Sequence, residues 1–251
     1  MRAHLIAGNW KMNKTPSETE VFLARFLPLV SQAEPEIVLL PAFPSLHRAG
    51  CLLCKTNVRL GAQDLHPEPR GAFTGAVSAE MLIDCGCRYV LVGHSERRHV
   101  FGESNALVRC KLEAAVSGGL HPILCVGETL AERRAGETES VLQTQLGSDL
   151  ADLSARSFPH LVVAYEPVWA IGTGETATTR QAQDAAAWIR EWLRRELGAS
   201  AGETIRILYG GSVKPDNAAE LLALPDVDGV LVGGASLDPV GLAQIVAEAR
   251  A

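Results

Sequence analysis

The chain has 251 residues, 23 basic and 29 acidic, so its net charge is −6; 47% of residues are hydrophobic and 21% charged. That is a globular composition with enough apolar material for a sizeable core. No apolar run approaches the ~18 residues of a membrane-spanning helix, no Lys/Arg block marks a nucleic-acid surface, and six cysteines are too dilute for a disulfide scaffold. The N-terminal apolar stretch, Leu5-Ile6-Ala7, is too short for a signal sequence, so a cytoplasmic setting with reduced thiols is expected.

In chain order, residues 5–8 form the first short apolar run. A helix is predicted over 18–29, with Val21, Phe22, Arg25, Phe26 and Leu29 at helical spacing, after a capping box read at Ser17 to Glu20. Strand-like runs follow at 37–40, 58–61 and 89–93, then a helix over 105–117 and a run at 122–127. The last stretch carries runs at 161–165, 205–209 and 229–233, with a helix over 180–197 that places Ala185, Ile189, Trp192 and Leu193 on one stripe. The eight runs are continuous rather than alternating and rich in Val, Ile and Leu, the pattern of strands buried on both faces of a parallel sheet. No linker or low-complexity tract divides the chain, so 1–251 is expected to be a single α/β domain. An eight-stranded closed (β/α)8 barrel and an open doubly wound sheet both fit, and eight units without an antiparallel edge favour the barrel.

In either architecture ligands bind at the carboxyl ends of the strands. Those ends carry Asn9-Trp10-Lys11, Gln63-Asp64, His94-Ser95-Glu96-Arg97, Glu128 and Glu166-Pro167, and after the last two runs Gly210-Gly211-Ser212 and Gly233-Gly234-Ala235-Ser236. Two adjacent ends built from glycine and small hydroxyls suit a phosphate cradle, because backbone N–H groups can approach an anion closely there. A carboxylate at Glu166, an imidazole at His94 and an ammonium at Lys11 would supply a base, a donor to a carbonyl and a counter-charge for an enediolate. Taken singly, each has a plainer reading: a packed histidine, a solvated lysine, half of a structural ion pair. The weight lies on their coincidence beside the cradle.

Pro167-Val168-Trp169-Ala170-Ile171-Gly172-Thr173-Gly174 is apolar and glycine-hinged, as a water-excluding lid would be. The Gly172 to Ala177 stretch matches a dinucleotide fingerprint in form, but Pro167 to Ile171 intervene between it and the strand. Cys51 with Cys54 and Cys85 with Cys87 have the wrong spacing for two zinc knuckles, and Cys54 is expected in apolar surroundings; Cys110 and Cys125 read as small core side chains. No metal and no cofactor are expected.

The five motifs Asn9-Trp10-Lys11, Gly93-His94-Ser95-Glu96-Arg97, Ala164 to Gly174, Tyr209-Gly210-Gly211-Ser212-Val213 and Gly233-Gly234-Ala235-Ser236, in this order and spacing, resemble the triosephosphate isomerase family across residues 7–236. The resemblance implies a TIM barrel that interconverts dihydroxyacetone phosphate and D-glyceraldehyde 3-phosphate. It implies Glu166 as base, His94 as a neutral electrophile, Lys11 and Asn9 on the substrate oxygens, and Glu96 and Ser95 in support. Gly172, Ser212, Gly233 and Gly234 are implied as phosphate ligands. It implies a homodimer in which the loop 66–78 interdigitates and Thr74 reaches the partner's site. One departure stands out: the family pattern Gly-Ala-Phe-Thr-Gly-Glu here ends in Ala76, removing a carboxylate expected to pair with Arg97 across the interface. The competing readings are a barrel enzyme for another small phosphosugar and a non-catalytic phosphometabolite-binding barrel.

Overall fold

The structure, a computed structural model, describes residues 2–151, 153, 160–171 and 177–249. Its eight strands are β1 (Leu5–Asn9), β2 (Glu36–Leu40), β3 (Val58–Ala62), β4 (Cys87–Val92), β5 (His121–Val126), β6 (Val162–Tyr165), β7 (Arg206–Tyr209) and β8 (Gly229–Val232). Each pairs in parallel with the next, and β8 returns to β1 with Leu5 opposite Gly229 and Gly8 opposite Val232. The ring is therefore closed. Every predicted run lies within two residues of an observed strand, because a strand buried on both faces has no polar face to blur its ends.

Alternating side chains fill two cores. Leu5, Ala7, Val38, Leu40, Tyr89, Leu91, Ile123, Cys125, Val162, Ala164, Leu208 and Leu231 pack inside the ring. The other face of each strand, with Ile6, Ile37, Val90, Val163 and Ile207, packs on the surrounding helices.

The α-helices among the described residues are α1 (Pro16–Phe26), α2 (Leu46–Leu53), α3 (Ala79–Asp84), α4 (Ser95–His99), α5 (Asn105–Ser117), α6 (Leu130–Arg134), α7 (Thr138–Asp149), α8 (Thr179–Leu197), α9 (Ala199–Thr204), α10 (Ala218–Leu222) and α11 (Pro239–Ala247). α5 matches its prediction, and α8 gains one residue while burying Ala185, Ile189, Trp192 and Leu193 as expected. α1 does not match. Its capping box is Thr15 with Glu18 rather than Ser17 with Glu20. Pro16 is well suited to the first helical position, where no N–H is needed, and this moves the start forward. At the far end Pro28 cannot donate within a helix, and residues 27–30 turn as a 3-10 segment. The buried face is accordingly Thr19, Phe22, Leu23 and Phe26, while Val21 and Leu29 are exposed.

Candidate active site

The end of β1 turns sharply into the site. Lys11 adopts a left-handed backbone with φ 53°, a conformation that costs a non-glycine residue on the order of 1 kcal/mol. Three bonds hold it there. The Lys11 N–H donates to Asn9 Oδ1 at 3.0 Å, Gln63 Nε2 donates to the Lys11 carbonyl at 2.9 Å, and Asn13 Nδ2 donates to the Trp10 carbonyl at 2.7 Å. The turn aims the Lys11 ammonium at Glu96, 2.8 Å from Oε1. Asn9 is buried and lines the cavity.

β4 delivers His94 as the N-cap of α4. Its Nδ1 accepts the Glu96 N–H at 3.2 Å, which places the ring proton of the neutral form on Nε2. Nε2 lies 3.0 Å from Glu166 Oε1. The other carboxylate oxygen of Glu166 accepts the Ser95 N–H at 2.9 Å. Both side chains are almost wholly buried. Burial pushes the Glu166 carboxyl up, but His94, the Ser95 N–H and Lys11 together hold it below its ordinary value. Burial likewise disfavours the His94 imidazolium, and the Glu166 charge outweighs it and raises the His94 pKa. The N-terminus of α4 thus acts on His94 through one N–H, while Glu166 pulls the other way.

The opposite wall is backbone. Gly210 and Gly211 follow β7, and Gly233 and Gly234 follow β8. A Cβ at Gly210 would stand 2.9 Å from Glu166 Cγ, so this glycine makes room for the carboxylate. A Cβ at Gly234 would meet no protein atom within 4 Å and would instead project into open space. The cavity between the walls measures about 490 Å³ and gathers Asn9, Lys11, His94, Glu166, Ser212, Gly233 and Gly234 from five strand ends. Of the predicted phosphate ligands, Gly172 lies outside the described residues, as do Thr173 and Gly174 of the predicted lid. Ile171, from the predicted lid segment, lines the cavity, and so does Lys214, which the sequence alone did not single out. The signal for Lys214 was its place two residues after Ser212.

Glu128, also at a strand end, does not enter the cavity. It is fully buried and accepts from Tyr165 Oη, from Trp169 Nε1 at 2.9 Å and from Arg133 Nη1 at 3.0 Å. The Arg133 guanidinium stacks over the Trp169 ring, with its carbon 4.9 Å from the centroid. Glu128 therefore anchors the base of the apolar segment 167–171, whose residues 168–170 form a 3-10 turn.

Thr74 and Ala76 sit on an exposed loop whose ends are tied by the His66 N–H to the Val77 carbonyl at 2.8 Å. Arg97 has two carboxylates in its own chain: Asp64 at 3.0 Å and Glu103 at 2.6 Å, both also held by Lys111. Cys125 is buried as expected. Cys110 and Cys54 are exposed, against expectation. α5 buries Val108, Lys111, Leu112 and Ala115, and position 110 falls off that stripe. Among the described residues no three His, Cys, Asp or Glu side chains are grouped to hold a metal ion, and no helix is long and apolar enough to cross a membrane.

The closed ring of eight parallel strands agrees with comparisons of the whole sequence. The sequence profile of the triosephosphate isomerase family matches residues 4–249. The chain is similar to triosephosphate isomerases from Symbiobacterium thermophilum (51% identical, covering 100% of both chains) and Moorella thermoacetica (53%, 98% of both). It is also similar to the triosephosphate isomerase of Solibacter usitatus (50%, 98% of this chain and 99% of the relative). The chain belongs to the triosephosphate isomerase family.

Proposed function

We propose that the chain, acting as one domain over 1–251, interconverts dihydroxyacetone phosphate and D-glyceraldehyde 3-phosphate by the following division of labour. The observation that carries the reading is the buried Glu166 carboxylate, 3.0 Å from His94 Nε2, in a cavity whose far wall is glycine backbone. With its pKa held down, Glu166 is ionised at neutral pH. Burial nonetheless strips it of water, which favours a carboxylate as a base. Glu166 takes a proton from the carbon beside the carbonyl and returns it to the adjacent carbon. The Nε2–H of His94 donates to the carbonyl oxygen as negative charge develops there. Lys11 balances that charge, and the Asn9 amide orients the oxygens.

Substrate draws Glu166 from His94 to the reacting carbon. Burial and Lys11, which both disfavour the imidazolium, then meet less opposition, and the ring acts as a neutral donor. Glu96 holds Lys11, and the Ser95 N–H holds Glu166 between turnovers. The backbone N–H groups of Gly172, Gly233 and Gly234, with Ser212, receive the phosphate; Trp169 and Ile171 support closure over it, which keeps the enediolate from expelling phosphate. Neither metal nor cofactor is needed, because Lys11 and His94 meet the developing charge.

The assembly is a homodimer. Met12, Phe73, Met81, Ile83, Val100 and Phe101 are exposed apolar side chains on and around the loops that follow β1, β3 and β4. Together they make the kind of patch that a second copy covers, with Thr74 reaching the partner's site. A cytoplasmic setting suits the six free thiols. Sedimentation at micromolar concentration should give a dimer, and a monomer with full activity overturns this part of the proposal.

A coupled assay with D-glyceraldehyde 3-phosphate tests the chemistry. Glu166→Gln is expected to lower turnover by orders of magnitude, with substrate affinity within about tenfold of wild type. Unchanged turnover with lost affinity overturns the base assignment.

A further inference from the structure

The cavity carries a cation that the catalytic division of labour does not use. Lys214 lines it and is exposed, two residues beyond Ser212. Its backbone is fixed at both ends. The Lys214 N–H donates to Asn217 Oδ1 at 2.8 Å, and its carbonyl accepts the Ala218 N–H at 3.1 Å. Asn217 in turn donates from Nδ2 to the Ser212 carbonyl at 3.0 Å, tying the lysine to the end of β7. Among the described residues the Lys214 ammonium has no ion pair, although Asp216 is two residues away. The other charges named at the mouth leave no positive excess. Lys11 is bonded to Glu96, and Glu166 faces His94. The chain as a whole is negative, at −6, so a dianionic substrate approaches against the general field.

We propose that Lys214 supplies the uncompensated positive charge at the mouth: it captures the phosphate end of the substrate and delivers it to the Ser212, Gly233 and Gly234 backbone. This deepens the isomerase reading and rests on it. Lys214 is a capture and positioning residue, since the backbone N–H groups hold the bound phosphate and the reacting carbons lie by Glu166. A full charge facing a dianion at roughly 8 Å through water changes encounter by about three- to sixfold at low salt. The effect belongs to kcat/KM rather than kcat.

The test measures kcat and kcat/KM of wild type, Lys214→Arg, Lys214→Ala and Lys214→Glu over a range of ionic strength. Substrates are D-glyceraldehyde 3-phosphate and, as a control without phosphate, D-glyceraldehyde. Lys214→Ala should lose about three- to sixfold in kcat/KM at low salt, Lys214→Glu more, and Lys214→Arg little. The losses should shrink at high salt, kcat should hold, and the D-glyceraldehyde rate should not change. An Ala variant with the wild-type salt slope, or an equal loss on D-glyceraldehyde, overturns the proposal. If wild type turns over no triose phosphate, the isomerase reading itself fails. Titration of wild type and Lys214→Ala with inorganic phosphate then judges Lys214 separately, and equal affinities overturn it.

Discussion

Gly210→Ala isolates the positioning of Glu166 from the chemistry of its carboxylate. Gly210 does not need a left-handed backbone, so alanine is tolerated conformationally. The new methyl would stand 2.9 Å from Glu166 Cγ and 3.3 Å from the Tyr165 carbonyl oxygen. Carbon atoms pack comfortably at about 3.5–4.0 Å, so the Glu166 methylene must retreat by roughly half an ångström or more. It cannot retreat freely, because its two oxygens are bonded to the Ser95 N–H at 2.9 Å and to His94 Nε2 at 3.0 Å. A displacement approaching 1 Å at a reacting group costs about 10²-fold. The expected result is a 10- to 100-fold fall in kcat with KM within about threefold, in the coupled steady-state assay. Gly234→Ala is the companion. Its methyl meets no protein atom within 4 Å but intrudes where phosphate is proposed to bind, so KM should rise with kcat largely kept. A Gly210→Ala enzyme with wild-type kcat would refute the claim that this glycine sets the carboxylate's place.

Arg190 is almost wholly buried and donates to Asp226, Asp228 and the carbonyls of Gly202 and Ile205. Arg190→Met should therefore cost about 3–5 kcal/mol, because it leaves a buried carboxylate and two carbonyls short of partners. For a chain of this size that is a drop in Tm of about 10 °C, and a change under about 2 °C contradicts it. His121 is held down to about 4 by burial, by Arg88 and by His160. Between pH 6.5 and about 4 the unfolded chain binds a proton there that the folded chain refuses, so stability is lost as pH falls through that window. His121→Asn should flatten the acid limb of urea-unfolding free energy over that range, and an unchanged slope rules the assignment out.

The sequence showed the barrel more clearly than the site. Continuous runs of Val, Ile and Leu read as doubly buried strands, and their number and order favoured a ring over an open sheet, while closure itself is shown by the pairing of β8 with β1. Helix ends were less legible where proline acted: Pro16 and Pro28 both moved the bounds of α1, and both could have been weighed. Glu128 and Glu166 looked alike as strand-end carboxylates. What separates them is contact from distant segments, Tyr165, Trp169 and Arg133 around one and His94 and Ser95 around the other, and no local pattern encodes it. The Arg97 cluster was also hidden, because Asp64, Glu103 and Lys111 meet only when β3, α4 and α5 are assembled. Cys110, by contrast, was readable, since the spacing of Val108, Leu112 and Ala115 leaves it on the outer face.

The left-handed turn at Lys11 sets this chain's stability against its activity. Glycine at that position would relieve the backbone cost, on the order of 1 kcal/mol, and the Asn9 and Gln63 bonds that hold the turn would survive. A selection that scored only resistance to heat would therefore favour losing the ammonium on which the proposed chemistry depends. Thermal adaptation of this barrel has to come from elsewhere, above all from the helix layer and the N-terminal face, where the ends of the strands carry no substrate.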